Sequence, residues 1–374
     1  MILLTLTLCC LLVTASPLAN SILPLRPSIS SIDHINLNIP SHSPFLEFYH
    51  ALGLHPDPHR FRNLALNNKV VNKATNEVIF KGGKGTVWMN AGSSQIHLPA
   101  GKTAQKIDGK IGLDYASPEE VLRVVRRLSL NKIGGTIKIQ DGGKIVECEC
   151  PGGNSFVLYG GGGAHLHPHP RHPIVVDDPL NAFAYENSNP NQNSSEEDSE
   201  DSEDSDFVFC LGVRYVEFNV KFGLAERIAK FYDEVFGCEA GVVVDEKTTK
   251  SENKVKVAVV NVDSGQSMLF RELKAGVEPL EYDGHHVSVF VGNSFEDFNA
   301  VYNTAEARGL VWINERFSDK ADTLEKASEA NQFRMRDFKD EEGAFFRLEH
   351  EVRCVDHEMF PASRILEEEE VGEL

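Results

Sequence analysis

One pattern recurs four times along the 374 residues: an alternating strand, a short break, an amphipathic helix, then short strands. "DHINLNIPSHSPFLEFYHALGL" (33–54) and "RYVEFNVKFGLAERIAKFYDEVFGC" (214–238) open the two halves alike, each running to Phe-Tyr and then a Gly able to end the helix. "KIGLDYASPEEVLRVVRRLSL" (110–130) and "HHVSVFVGNSFEDFNAVYNTAEARG" (285–309) repeat the theme inside each half, with Ser117 as an N-cap and Pro118 at the first helical position. Short strands follow every helix, for example "GTVWMN" and "SQIHLP", or "FRMRDF" and "AFFRLEHEV". One helix per group of alternating strands dictates an α+β fold with helices over one face of each sheet. The other face is then left to polar side chains. In the first strand Ile35, Leu37 and Ile39 alternate with His34, Asn36 and Asn38, and a histidine followed by two carboxamides is an unusual solvent face.

Between the halves the periodicity stops. Residues 161–207 carry "HLHPHPRH", then Asn- and Ser-rich sequence, then eight acidic residues in "SEEDSEDSEDSD"; this composition cannot bury a core and reads as a linker between domains at 31–160 and 208–355. The His/Pro tract is expected to have incidental metal affinity only, and the acidic tract lacks the spacing of a specific calcium loop. A second acidic run, "EEEEVGEL", ends the 356–374 tail. These two runs carry most of the formal net charge of −19, so that charge describes a linker and a tail, and it argues against nucleic-acid binding. The apolar run Ile2–Ala15 followed by small residues has the length of a signal-peptide core, so residues 1–19 are expected to direct the chain to the secretory pathway and to leave no membrane segment once removed. "NSS" at Asn193 would then be a glycosylation acceptor. Cys148, Cys150, Cys210, Cys238 and Cys354 fit neither a disulfide framework nor a zinc knuckle and are expected as buried thiols.

The repeated unit, the opening "HINLNI…FY…LGL", and the runs "QIHLP", "YDGHHVSVFV" and "LEHEVR" resemble the vicinal-oxygen-chelate superfamily, the glyoxalase / bleomycin-resistance / extradiol-dioxygenase fold, in a two-domain form covering about residues 31–365. The resemblance implies two domains, each of two paired βαβββ modules curled into a cupped mixed sheet with helices on the convex face. Metal ligands, where present, come from the first and last strands of the modules. They leave coordination positions open to a substrate with adjacent oxygens.

Carried over residue by residue, the resemblance gives two incomplete sets. In the first half His34 and His97 fall at ligand positions with Gln95 beside them, but Lys110 and Val157 stand where the partners would be; His34, Asn36, Asn38, Gln95, His97 and Lys110 are therefore expected to line a polar substrate pocket. In the second half His286 and Glu349 fall at ligand positions. With Glu217 they would make a one-His, two-carboxylate set for Fe(II), Mn(II) or Zn(II), with Tyr215 and Glu217 in catalytic roles and Tyr215 as a proton donor. His285 points to the opposite face, and Glu349 and Glu351 could instead pair with Arg347 or Arg353. The function expected is a metal-dependent lyase, isomerase or dioxygenase on a small oxygenated organic substrate, with which a homodimer is compatible; the alternative is a metal-free small-molecule binding protein of the bleomycin-resistance type.

Overall fold

In a computed structural model of the protein, the residues described are 28–57, 69–71, 78–80, 85–161, 208–245 and 254–360. The expected leader, the sequon at Asn193, the His/Pro and acidic tracts and the Glu-rich end lie outside them. No helix among the described residues is long and apolar enough to cross a membrane.

The first unit runs β1 (Ile29–Asn36), α1 (His42–Ala51), β2 (His55–Pro56), a separate hairpin of β3 (Lys69–Val71) and β4 (Val78–Phe80), then β5 (Thr86–Ala91) and β6 (Ser94–Pro99). The second has β7 (Gly109–Tyr115), α2 (Pro118–Leu130), β8 (Lys138–Gln140), β9 (Ile145–Glu149) and β10 (Ser155–Gly160). The third has β11 (Gly212–Val220), α3 (Ala225–Phe236), β12 (Ala240–Val244), β13 (Lys256–Asn261) and β14 (Ser267–Glu272). The fourth has β15 (His286–Val291), α4 (Phe295–Ala307), α5 (Leu324–Ala330), β16 (Gln332–Asp340) and β17 (Gly343–Cys354). Its second strand is reduced to a single bridge between Val311 and Met335.

Local chemistry sets the helix ends. Ser117 accepts a hydrogen bond from the Glu120 amide at 3.3 Å, with Pro118 at the first helical position and two acidic residues in the first turn of α2. Ser294 and Thr323 cap α4 and α5 in the same way. α3 stops at Gly237, whose φ of +70° is open to glycine at no steric cost.

The α+β class and the sheets built of two modules are as expected, but the expected pairing of units within 31–160 and within 208–355 is corrected, because the first strands pair across the two halves. One seven-stranded sheet has the order β16-β17-β15-β1-β6-β5-β2, and one eight-stranded sheet has β12-β13-β14-β11-β7-β10-β9-β8. Within each unit the first strand pairs in parallel with the last, as β1 does with β6 and β15 with β17. Its other edge pairs antiparallel with the first strand of another unit: β1 with β15, and β7 with β11. The first unit therefore shares a sheet with the fourth, and the second with the third, so both sheets draw on both halves of the chain.

The apolar faces of both sheets and the helices meet in one core. Phe48 and Tyr49 of α1 contact Phe156 of the eight-stranded sheet, and Phe231 of α3 stacks on Phe338 of the seven-stranded sheet at 4.1 Å. Ile35, Leu37 and Ile39 are buried there as the alternation predicted. The five cysteines of the described residues are free and buried.

Candidate metal and ligand site

The polar face of the seven-stranded sheet is assembled by register. His97, Asn36, His286 and Glu349 line up across β6, β1, β15 and β17 at one level; Gln95, His34, Ser288 and Glu351 line up at the next. Every one of these eight side chains is buried. The half-sets that the sequence shows apart, His34 with His97 and His286 with Glu349, thus stand on one face because the first and fourth units share the sheet.

At the centre His34, His286 and Glu351 converge, with ligand-type atoms within 4.8 Å of one another. The Nε2 atoms of His34 and His286 are 3.4 Å apart, and His286 Nε2 is 3.6 Å from Glu351 Oε2. His34 Nδ1 is 2.8 Å from the Asp33 carboxylate, so Nδ1 carries the proton and Nε2 turns its lone pair to the centre. Asp33 is itself held by Arg353 at 2.6 Å. Burial lowers the pKa of His34 and lowers that of His286 further, which keeps both imidazoles neutral. Glu351 is held well below the usual carboxylate range: burial opposes its charge, but the Arg353 and Arg334 guanidiniums outweigh it.

Around this trio runs a buried charge network. Arg334 donates to Glu349 at 2.8 Å and to Asp319 at 2.7 Å, and also binds Glu351; Arg353 donates to Glu351 at 2.8 Å through Nε. Asn314 Nδ2 donates to both Glu349 oxygens, and burial still raises the Glu349 pKa. Flanking the trio, His34 stacks on His97 at 3.7 Å and His97 on Trp88 at 4.2 Å, while Phe317 stands edge-on to His286 and beneath the Arg334 guanidinium. His97 Nε2 meets Gln95 Oε1 at 2.9 Å, so His97 is occupied by its neighbours.

These residues fit a divalent transition metal. Two neutral imidazole nitrogens and an ionised carboxylate are its usual donors, and nitrogens each about 2.1 Å from one ion at a tetrahedral angle stand about 3.4 Å apart. The separation of the two Nε2 atoms matches this, whereas it is long for a direct N–H···N hydrogen bond. Charge points the same way. Asp33, Asp319, Glu349 and Glu351 face two guanidiniums, Arg334 and Arg353, an excess of carboxylates that a buried cation would balance.

Glu217 is not part of this group, and the expected set of Glu217, His286 and Glu349 is not brought together. Glu217 lies on β11 in the eight-stranded sheet, bound to Arg271 Nε at 3.0 Å, because β11 pairs with β7 and not with β15. Tyr215 is beside it, its ring flat over Gly112, where an added Cβ would stand 2.5 Å from the ring. Its hydroxyl is 3.2 Å from that of Tyr159, and burial raises its pKa. Tyr215 and Glu217 therefore face a different polar surface from the trio. Lys110 is there too, paired with Glu147 at 2.9 Å, and so does not line the pocket of His34. Asn38 marks the rim of the His34 face, where Arg316 donates to its Oδ1 at 2.9 Å. His285 stacks on Phe218 with Asp283 on its Nδ1, away from the trio as its strand parity predicted. Glu349 serves Asn314 and Arg334, and the carboxylate at the centre is Glu351, two residues on and on the same face. Only the β15–β17 register, which sets Ser288 beside Glu351, distinguishes the two glutamates.

Comparisons with known proteins give one family match and several structural neighbours. The profile of the Glyoxalase/Bleomycin resistance protein/Dioxygenase superfamily matches residues 222–348. No curated protein matches. Among solved structures, glyoxalase I from Zea mays is 12% identical with a TM-score of 0.44, covering 91% of this chain and 95% of its own. A putative dioxygenase from Bacillus subtilis subsp. subtilis str. 168 is 13% identical with a TM-score of 0.47, covering 87% and 86%. The profile match assigns residues 222–348 to the Glyoxalase/Bleomycin resistance protein/Dioxygenase superfamily, and the fourfold strand–helix–strand unit of the chain is the one that the vicinal-oxygen-chelate resemblance implies.

Proposed function

We propose that the protein is a metal-dependent enzyme acting on a small organic substrate with adjacent oxygens, and that its metal centre is His34, His286 and Glu351. The observation that carries this reading is the convergence of two neutral imidazoles and one ionised carboxylate from two halves of the chain, with Asp33 fixing the His34 tautomer. A bound metal of this kind acts as a Lewis acid toward substrate oxygens. A two-His, one-carboxylate face suits Fe(II) in oxygenases, so among lyase, isomerase and dioxygenase chemistry the donor set favours the last. Asp33 holds the His34 proton on Nδ1, Arg353 pairs with both Asp33 and Glu351, and Arg334 with Asn314 anchors Glu349 at the edge. Phe317 and the Trp88–His97 stack wall the site on two sides and limit access of water.

The test is elemental analysis of the full chain after reconstitution with Fe(II), Mn(II) or Zn(II). About one equivalent is expected, lost in His34→Ala, His286→Ala and Glu351→Ala and retained in Glu217→Ala. Less than half an equivalent in the parent would overturn the reading. It would leave the metal-free binding protein, which the contacts of Arg334 with both Glu349 and Glu351 favour by neutralising those carboxylates without an ion.

A further inference from the structure

On the polar face of the seven-stranded sheet most buried polar groups have protein partners, but at the β1–β15 seam three do not. Asn36 Nδ2, Ser288 Oγ and His286 Nδ1 are buried with no hydrogen-bond partner among the described residues. Register explains how they are grouped. His34 is opposite Ser288 and Asn36 is opposite His286, so the four side chains form a quadrilateral. The histidines occupy one diagonal, with their Nε2 atoms 3.4 Å apart, and Asn36 and Ser288 occupy the other. Asn36 is 4% exposed and Ser288 is fully buried.

Leaving a buried donor unmade costs free energy, and native cores rarely tolerate several together without a ligand or an ordered water. The chemistry of the three atoms is one-sided. The Asn36 amide nitrogen only donates, and the Ser288 hydroxyl is free to donate. With His286 Nε2 turned toward the centre, the proton of the neutral ring lies on Nδ1, a third donor. A ligand completing this seam must bring oxygens that accept: carbonyl or ionised hydroxyl groups, next to the His34–His286–Glu351 trio.

We infer that Asn36 and Ser288 are the donors that orient the substrate's oxygens at this site, so that the seam selects an acceptor-rich, deprotonated dioxygen ligand over a hydroxylated neutral one. This rests on the metal reading above. The two residues touch the ligand and not the ion, which separates their role from that of the trio: removing them spares the metal and weakens the ligand.

The experiment uses the full chain loaded with metal, titrated calorimetrically with catechol as an aromatic probe and lactate as an aliphatic one. Asn36→Leu and Ser288→Ala are compared with the parent for metal content, melting temperature and probe affinity. Metal content is expected to be unchanged in both variants, and the melting temperature of Ser288→Ala not lowered, since the group it removes satisfies nothing in the free protein. Affinity for the probe that the parent binds is expected to fall about tenfold or more in each variant, the scale of a hydrogen bond to an ionised acceptor. Unchanged affinity with metal intact would overturn the inference alone and assign the seam to a buried water. Failure of the metal-loaded parent to bind either probe would overturn the ligand class. Absence of metal from the parent would overturn the reading beneath it, and this inference would fall with it.

Discussion

At the scale of single residues, acid sensitivity is readable in His357, buried at the edge of the polar face with Asp33, Glu351, Glu358 and Arg353 as its charged neighbours. His357 is 8% exposed, accepts a hydrogen bond from the Met359 amide through Nδ1, and burial lowers its pKa to about 4. A histidine whose folded pKa lies below its unfolded value of about 6.5 binds its proton more readily in the unfolded chain. Its contribution is thus fully present above pH 6.5 and is lost as pH falls toward 4. Between pH 7 and pH 5 this one residue is expected to remove on the order of 1–2 kcal/mol. His357→Asn, which keeps an acceptor for the Met359 amide, should show a smaller drop in urea midpoint between those two pH values. An equal drop in parent and variant would assign the acid sensitivity to other groups. Residue identity was also the scale at which sequence reading came nearest the site. His34 stands out as a polar residue type on a strand face that alternation assigns to solvent, and His286 by the ligand position that the family resemblance gives it. Glu351 does not, because strand parity puts Glu349 and Glu351 on the same face and only the register of a parallel pairing decides which meets the histidines. Glu217 satisfied parity equally well and is on the other sheet.

Elements were legible because their determinants are local. Strand alternation, the Phe-Tyr pairs facing inward from α1 and α3, the cap at Ser117 and the glycine at position 237 each act within a few residues, and each is seen in the structure. The fourth unit departs from the pattern for an equally physical reason. Between α4 and β16 the chain forms only the Val311–Met335 bridge and then spends its length crossing the polar face, placing Asn314 on Glu349 and Phe317 on His286 and Arg334. Hydrogen bonds a strand would have made are replaced by contacts to the site, which periodicity cannot register. The caps give a measurable contrast. Ser117 accepts from the Glu120 amide, whereas Ser41, at the start of α1, makes no side-chain cap bond. Ser117→Ala is expected to destabilise the protein by about 1 kcal/mol and Ser41→Ala by only a few tenths, in denaturant titrations with equal slopes. Equal losses would mean that capping at Ser117 adds nothing beyond packing.

At the scale of the whole molecule the repeats do not state which units pair, and the proposed centre depends on that pairing. All four first strands share one alternation and one free edge, so nothing in the repeats states whether the first unit joins the second or the fourth; the choice depends on pairing across more than 240 residues of separation, as between His34 and Ser288. It nonetheless decides whether the proposed centre can form, since His34 lies before residue 161 and His286 and Glu351 lie after residue 208. Each half alone would leave two first strands with unpaired edges and apolar faces uncovered, a state prone to association. A chain split within 162–207 should therefore behave as one body. Co-expressed halves are expected to co-purify as a 1:1 complex through both seams, without the covalent connection, and to hold the same metal content as the intact chain. Either half expressed alone should aggregate or pair with itself, and should bind metal at well under half an equivalent because no half contains the trio. Two separately soluble, monomeric halves, one of them carrying a full equivalent of metal lost on His286→Ala, would show that the site closes within a single half and would refute the pairing of the first unit with the fourth.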